Sequence, residues 1–227
     1  MLTDFEKLPA AMQNEYVRRY HEILSHKKAS LFAKRIFDIF ASFIMLVLLS
    51  PVLLVVAVII KFDSKGPVFY RQKRYTKNMR KFRIFKFRSM VKDADKRGPL
   101  VTVSGDARIT KIGRFLRKTR IDEFPQLFNI LLGDMSFVGT RPEVEKFVER
   151  YSDEMLATFL MPAGVTSRTS IEFMDEAEVL KDVLNADEVY VSKILPQKMK
   201  INLLYIEQYS FWGDIRIMFS TVFAIGR

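Results

Sequence analysis

Residues Ile39–Ile60, IFASFIMLVLLSPVLLVVAVII, form an uncharged run of 22 residues between Asp38 and Lys61, interrupted near its middle by Ser50-Pro51. As a helix rising about 1.5 Å per residue, such a run matches a hydrocarbon layer roughly 30 Å thick. Pro51 removes a backbone donor and bends a helix passing through it, while Ser50 is placed to hydrogen-bond a carbonyl that the proline frees. Three geometries satisfy this stretch: a kinked transmembrane helix, a re-entrant helix-break-helix hairpin, and the buried core helix of a soluble protein. Flanking charge bears on the choice. Lys27, Lys28, Lys34 and Arg35 precede the run, and Lys61, Lys65, Arg71, Lys73 and Arg74 follow it. Positive residues beside a membrane segment tend to remain cytoplasmic, and only the hairpin keeps both clusters on one side.

Working outward, the net charge of +11 is concentrated in one place. Residues 61–120 hold 20 Lys+Arg against 4 Asp+Glu, and the remainder of the chain is net acidic. A basic block directly after a membrane run suits anionic headgroups and phosphorylated substrates; its position argues against nucleic acid as the ligand. No cysteine is present, which excludes disulfides, thiolate metal sites and cysteine catalysis. No other stretch approaches 18 apolar residues, and the run begins too deep and is too long for a secretory signal.

Periodicity predicts an amphipathic helix over 9–27, opened by Pro9, and short strands at Val68–Tyr70 and Phe82–Phe87 joined by a polar loop over Lys73–Lys81. Helices follow near Ile109–Lys118, Asp122–Gly133 and Glu143–Leu160, then over residues 174–195 and in one long helix after Pro196. Trp212 with Tyr209 reads as an interfacial aromatic belt. The expected fold is α+β, predominantly α. It has a re-entrant membrane helix-break-helix, interfacial amphipathic helices and a small antiparallel β element.

Asp122-Glu123 lies between the basic block and an apolar helix. Taken alone the pair fits a helix N-terminus, where Asp caps and Glu sits in the first turn. Its neighbours Arg117, Lys118 and Arg120 suggest more, since an aspartate beside phosphate-binding cations can attack phosphorus as a nucleophile.

Five ordered motifs sharpen this reading. They are Gly66-Pro-Val-Phe-Tyr-Arg-Gln72, Phe82-Arg-Ile-Phe-Lys-Phe-Arg-Ser-Met90, Arg108-Ile-Thr-Lys-Ile-Gly-Arg-Phe-Leu-Arg117, Asp122-Glu-Phe-Pro-Gln-Leu127 and Gly133-Asp-Met-Ser-Phe-Val-Gly-Thr-Arg-Pro142. From about Lys34 onward the chain resembles the bacterial sugar transferases, and most closely their small monotopic phosphoglycosyl transferases. The resemblance implies transfer of a sugar-1-phosphate from a UDP-sugar to a polyprenyl phosphate, with release of UMP. It makes Asp122 the nucleophile and Mg²⁺ contact, Glu123 its support, and Arg117 and Arg141 phosphate contacts. Lys86 and Arg88 match the basic strand lining the site. In the family a Ser-Pro break makes the membrane helix re-entrant, which turns the open choice at Ser50-Pro51 towards the hairpin.

The organisation that follows is an N-terminal amphipathic helix over 1–33, a membrane hairpin over 34–62, and a catalytic domain over 63–227. That domain would lie on the cytoplasmic face of a bacterial inner membrane. Membrane lipids, UDP-sugar and polyprenyl phosphate are the implied ligands, and a homodimer and downstream glycosyltransferases are candidate partners. The segment Pro162-Ala-Gly-Val-Thr166 with Ser167-Arg-Thr-Ser-Ile171 departs from the family pattern, and it is where sugar or uridine selectivity is expected.

Overall fold

The computed structural model describes residues 2–181 and 183–225. Its elements run in the order α1 (Glu15–Ser25), α2 (Lys28–Asp63), β1 (Phe69–Thr76), β2 (Arg80–Phe87), α3 (Lys111–Lys118), α4 (Gln126–Leu132), β3 (Met135–Val138), α5 (Glu145–Val148), β4 (Ala163–Thr166), α6 (Arg168–Glu172), α7 (Glu176–Val179), α8 (Ala186–Val189), α9 (Leu195–Glu207) and α10 (Phe211–Ile225). The predominantly α character and the antiparallel hairpin agree with expectation.

The apolar run lies inside a helix of 36 residues that stays helical through Pro51. The expected interruption at Ser50-Pro51 is therefore absent from the backbone, and the reason is local. The carbonyl that loses its partner to Pro51 belongs to Val47, and Ser50 Oγ donates to it at 2.8 Å. Only 11% of the helix's most apolar 18-residue window is buried in the fold. Phe40, Phe43, Leu48, Leu54 and Val55 stand out from the protein, so this is not the core helix of a soluble domain.

Strands β1 and β2 pair antiparallel with Tyr70 opposite Lys86 and Gln72 opposite Ile84. They extend through the segment expected to be a loop. Asn78 and Met79 both adopt positive φ, 56° and 54°, and two left-handed residues close a tight hairpin whose twist matches the strands. Asn129 of α4 then docks β2 edge-on: its Oδ1 accepts from Phe85 N at 2.8 Å and its Nδ2 donates to Arg83 O at 3.0 Å.

A second, parallel pair formed by β3 and β4 is the main element that periodicity misses. All four residues of β3 are buried, so no alternation marks the strand. The expected helix over Glu143–Leu160 reduces to α5 and a 3-10 run over Met155–Leu160. Leu156 through Leu160 are consecutive and all buried, a pattern that no single helix face produces. The helix expected over 174–195 is divided into α7, α8 and a π-helical turn over Tyr190–Ile194. The single helix expected after Pro196 is α9 and α10. Between them Tyr209 turns inward to donate to Ser30 O at 2.9 Å, so only Trp212, 76% exposed, fits the aromatic belt.

One core joins Val17 and Leu24 of α1, Ile84 of β2, Ile130 of α4 and the β3–β4 pair to α9. A smaller cluster packs Val56 and Ile60 of α2 against Phe87 and Leu116. In the parallel pair, backbone meets backbone at two glycines: a Cβ on Gly164 would stand 2.2 Å from Gly139 N and 2.6 Å from its Cα. No rotamer relieves such a clash. Gly164→Ala should therefore cost about 1–3 kcal/mol, as overpacking does. A lower thermal transition of the purified, detergent-solubilised protein would register the loss, and an unchanged one would show that the strands separate freely.

Candidate active site

Asp122 and Glu123 sit not on a helix face but in a 3-10 turn, Ile121–Glu123, between α3 and α4. The turn opens at Arg120, a non-glycine residue held left-handed at φ 58°. Such backbone strain persists only where surrounding structure imposes it. Pro125 and α4 begin immediately afterwards, so the dyad is pinned between two helices.

The two carboxylates have opposite surroundings. Glu123 is neutralised twice: Lys86 Nζ donates to its Oε1 at 2.9 Å, and the Arg141 guanidinium straddles both oxygens, with Nη1 to Oε2 at 3.2 Å and Nη2 to Oε1. Asp122 is 6% exposed, yet its Oδ1 is buried without a hydrogen-bond partner. Burial raises the Asp122 carboxyl above its ordinary 3.8; Lys86 opposes that shift and the charge on Glu123 adds to it. Burial would raise Glu123 too, but Arg141 and then Lys86 outweigh it and hold Glu123 well below 4.5. A desolvated carboxylate with free lone pairs beside a fully paired one is a division of roles that the sequence pair alone does not reveal.

Each cation arrives from a different element. Lys86 lies on β2, docked by Asn129. Arg141 follows β3, where Gly139 N bonds Thr166 O at 3.0 Å and Gly164 N bonds Thr140 O at 2.9 Å, continuing the parallel ladder to its edge. Arg117 lies in the last turn of α3, and its Nη2 donates to Thr102 Oγ1 at 2.7 Å. Lys86, Arg117 and Arg141 therefore gather around Asp122-Glu123.

Arg88 also lines the basic lobe, but it makes no bond to the dyad. Its guanidinium donates to Pro67 O, to Ile60 O at 3.1 Å and to Ser64 O at 2.6 Å, fastening the C-terminal end of α2 to the hairpin. Gly66 is what admits it, since a Cβ there would lie 2.6 Å from Arg88 Nη1. Lys86 and Arg88 share a sequence parity, and Arg88 lies one residue past the end of β2, with its backbone N still bonded to Val68 O at 2.9 Å.

Thr102 and Arg120 also line the site, and no motif or periodicity pointed to Thr102. It comes from the loop after Gly98-Pro99, which Asp187 holds by accepting from Leu100 N at 2.9 Å and Val101 N at 3.2 Å.

The dyad stands at the junction of two lobes. The first, of about 540 Å³, is rich in cations including Arg71, Arg74, Lys86 and Arg108, and it contains Asp122. The second, of about 400 Å³, is bounded largely by apolar side chains from α4, β3 and α6–α7. Arg117, Arg120, Glu123 and Arg141 form the wall between them. A diphosphate suits the first lobe, where arginines can grip phosphate oxygens with their planar forks.

Among the described residues no group of three or more His, Cys, Asp or Glu side chains could hold a metal by itself. The orphaned Asp122 Oδ1 nonetheless fits a Mg²⁺ contact. That ion is commonly held by one or two carboxylates completed by substrate phosphates.

Residues 29–227 match the family described as bacterial sugar transferase. The chain is 53% identical over 196 residues to an exopolysaccharide production protein, PSS, of Rhizobium leguminosarum bv. phaseoli, covering 85% of this chain and 94% of that one. It is 37% identical over 194 residues to a UDP-N-acetylgalactosamine-undecaprenyl-phosphate N-acetylgalactosaminephosphotransferase of Aeromonas hydrophila, covering 84% of this chain and 43% of that one. It is likewise 37% identical over 194 residues to a UDP-glucose:undecaprenyl-phosphate glucose-1-phosphate transferase of Klebsiella pneumoniae, covering 84% and 39%. The chain thus spans about two fifths of the length of these last two relatives.

The raised Asp122 pKa has a stability consequence with a definite sign. An acid whose folded pKa is raised penalises the fold when ionised, and the penalty disappears below the unfolded value. Asp122→Asn should accordingly raise the thermal transition at pH 7 in metal-free buffer. The gain should shrink as pH falls through the raised folded value and vanish below 3.8. Melting curves of both proteins across that range test it; a variant less stable at pH 7 would contradict the assigned burial cost.

Proposed function

Since the chain belongs to the bacterial sugar transferase family, we propose that it transfers a sugar-1-phosphate from a UDP-sugar to a polyprenyl phosphate, releasing UMP. This would be the first membrane step in building a surface glycan. The observation that carries the reading is the buried, unpartnered Asp122 Oδ1 beside a Glu123 already neutralised by Lys86 and Arg141, at the mouth of a basic lobe.

In the first displacement an Asp122 oxygen forms a bond to the phosphorus carrying the sugar. The bond from that phosphorus to the oxygen of UMP breaks, and UMP leaves with the electron pair. In the second, a polyprenyl-phosphate oxygen attacks the same phosphorus and Asp122 departs. Arg117 and Arg141 offer fixed positive charge to the equatorial oxygens, where charge accumulates. Glu123 keeps Lys86 and Arg141 in place and leaves Asp122 the one uncommitted carboxylate of the pair. Mg²⁺ held by Asp122 and the diphosphate would supply neutralisation of the leaving group.

Two features support a lipid substrate and a monotopic anchor. The polar domain grips both ends of α2: Arg35 donates to Ile130 O at 2.7 Å near one end, and Arg88 and Ile112 N reach Ile60 O and Asp63 at the other. A straight crossing would set those ends roughly 40 Å apart on opposite faces of the bilayer, where one charged domain could not hold both. Along α2, moreover, Phe43, Leu46, Leu53 and Ala57 line an apolar groove that reaches Phe69 and Phe87. Those two phenylalanines also border the basic lobe, so a prenyl chain in the groove would present its phosphate there.

Full-length protein in nanodiscs with a UDP-sugar and undecaprenyl phosphate should release UMP, and Asp122→Asn should lose on the order of 10³-fold or more. With UDP-sugar alone, intact-protein mass spectrometry should detect a phosphosugar adduct on the natural protein and none on the variant. Turnover persisting in Asp122→Asn would remove Asp122 as nucleophile. Arg141→Lys, which keeps the charge but not the fork, should lose about 10²-fold. For the anchor, Ser30→Cys and Lys65→Cys on this cysteine-free chain should both label from the cytoplasmic side. Label on opposite sides would mean a span.

A further inference from the structure

We propose that the second lobe houses the sugar ring of the donor, and that Glu176, held by Lys198, reads its hydroxyl pattern. This rests on the transferase reading above and extends it to substrate selection.

Stereochemistry separates the two lobes. Both displacements run in line through one phosphorus, so UMP leaves by the face opposite Asp122 and the lipid phosphate enters by that same face. The two phosphorylated ligands therefore use one basic lobe in turn. The sugar is attached through a third oxygen and stays on the enzyme between the half-reactions, so it needs a separate pocket that adjoins the dyad. The second lobe meets the first along Arg117, Glu123 and Arg141. Beyond the arginines it shares with the first, its one described cation is Lys198, and that is spent in an ion pair. A pocket so poor in free positive charge does not suit a second phosphate.

Its lining matches a pyranose. Phe124 and Phe173 offer apolar surface to ring C–H groups, while Thr169, Ser170 and Glu176 offer oxygen atoms to hydroxyls. Ser170 is placed by local capping: Ser167 Oγ accepts from Ser170 N at 3.0 Å to start α6. This is the segment whose sequence departs from the family pattern, so its side chains are the ones expected to differ where the sugar differs.

Glu176 is the built element of the wall. Lys198 Nζ donates to its Oε2 at 2.7 Å and lies 3.4 Å from Tyr190 OH, which donates to Glu143 Oε1 at 2.5 Å. Glu143 stands two residues after Arg141. One buried chain thus joins the residue that braces Glu123 to the residue facing the sugar pocket, and it leaves Glu176 Oε1 available to accept from a ligand hydroxyl. A site built to accept from a particular hydroxyl discriminates sharply against an epimer that lacks it there.

The test is a steady-state comparison of UDP-glucose, UDP-galactose, UDP-N-acetylglucosamine and UDP-N-acetylgalactosamine on full-length protein in nanodiscs. Glu176→Gln should change the kcat/KM ratio between the best and second-best sugars at least about tenfold. The inhibition constant of UMP, which carries no sugar, should remain within about twofold. Ser170→Ala, a milder change, should move the same ratio in a smaller step should Glu176→Gln not fold. An unmoved ratio with all four sugars slowed alike, or weakened UMP inhibition, would overturn the assignment while leaving the transferase reading intact. Absence of UMP release from every sugar with the natural protein would instead overturn the transferase reading, and the sugar pocket with it.

Discussion

The structure depends on one buried polar knot at the base of α2. Lys34 Nζ donates to Asp214 Oδ2 at 2.5 Å and to Val138 O at 2.7 Å, while Asp38 Oδ1 accepts from Ser136 Oγ and Phe137 N, each at 3.1 Å. Tyr205 OH completes Asp214 at 2.7 Å, and Arg35, one residue along, caps the last carbonyls of α4 at 2.7 and 3.0 Å. Charges this deeply buried are tolerated only when fully partnered, and removing one partner leaves the others uncompensated. The knot therefore sets the register of α2 against β3, α4 and α10 together. β3 runs into Arg141 and α4 follows Glu123, so the same contacts that seat the helix also seat the dyad.

Charge in the site is distributed unevenly, and that unevenness is its chemistry. Two cations could have been shared between two adjacent carboxylates; instead Glu123 takes both. Asp122 then has the nearby cations only at a distance, so burial raises its pKa and its Oδ1 has no hydrogen-bond donor. A group made costly to ionise in the resting protein gains most when a cationic or phosphoryl partner arrives. Desolvation here costs stability, the usual direction of that exchange where a buried charge is kept for a site.

Long-period and motif signals were legible in the sequence, and short buried elements were not. α2 announced itself by the length of its uncharged run, and the helix Lys111–Lys118 by its amphipathic spacing. The dyad, Arg117, Arg141 and Lys86 were legible because their order along the chain repeats a known pattern. β3 escaped notice since four consecutively buried residues carry no period, and β4 since it spans only four residues without alternation. The long helices expected around 143–160 and 174–195 were broken by tertiary contacts, among them Tyr190 turning inward to Glu143. The bonds that tie the Arg88 guanidinium to Ile60 O and Ser64 O of the α2 end were not legible, since they join residues more than twenty positions apart.

By itself the sequence determined what kinds of surfaces this chain must satisfy: a 22-residue apolar run that water rejects, a basic block beside it, and a carboxylate pair between cations. Those follow from composition and local order, which act over a few residues. Only the tertiary structure decided which carboxylate is paired and which is bare, that Pro51 is accommodated within a continuous helix, and that two lobes of different character meet at Glu123 and Arg141. The reason is that desolvation and ion pairing depend on distances between residues far apart in the chain. Lys86 and Glu123 are 37 positions apart and Lys34 and Asp214 are 180, and the sequence does not specify such separations until the core has closed around them.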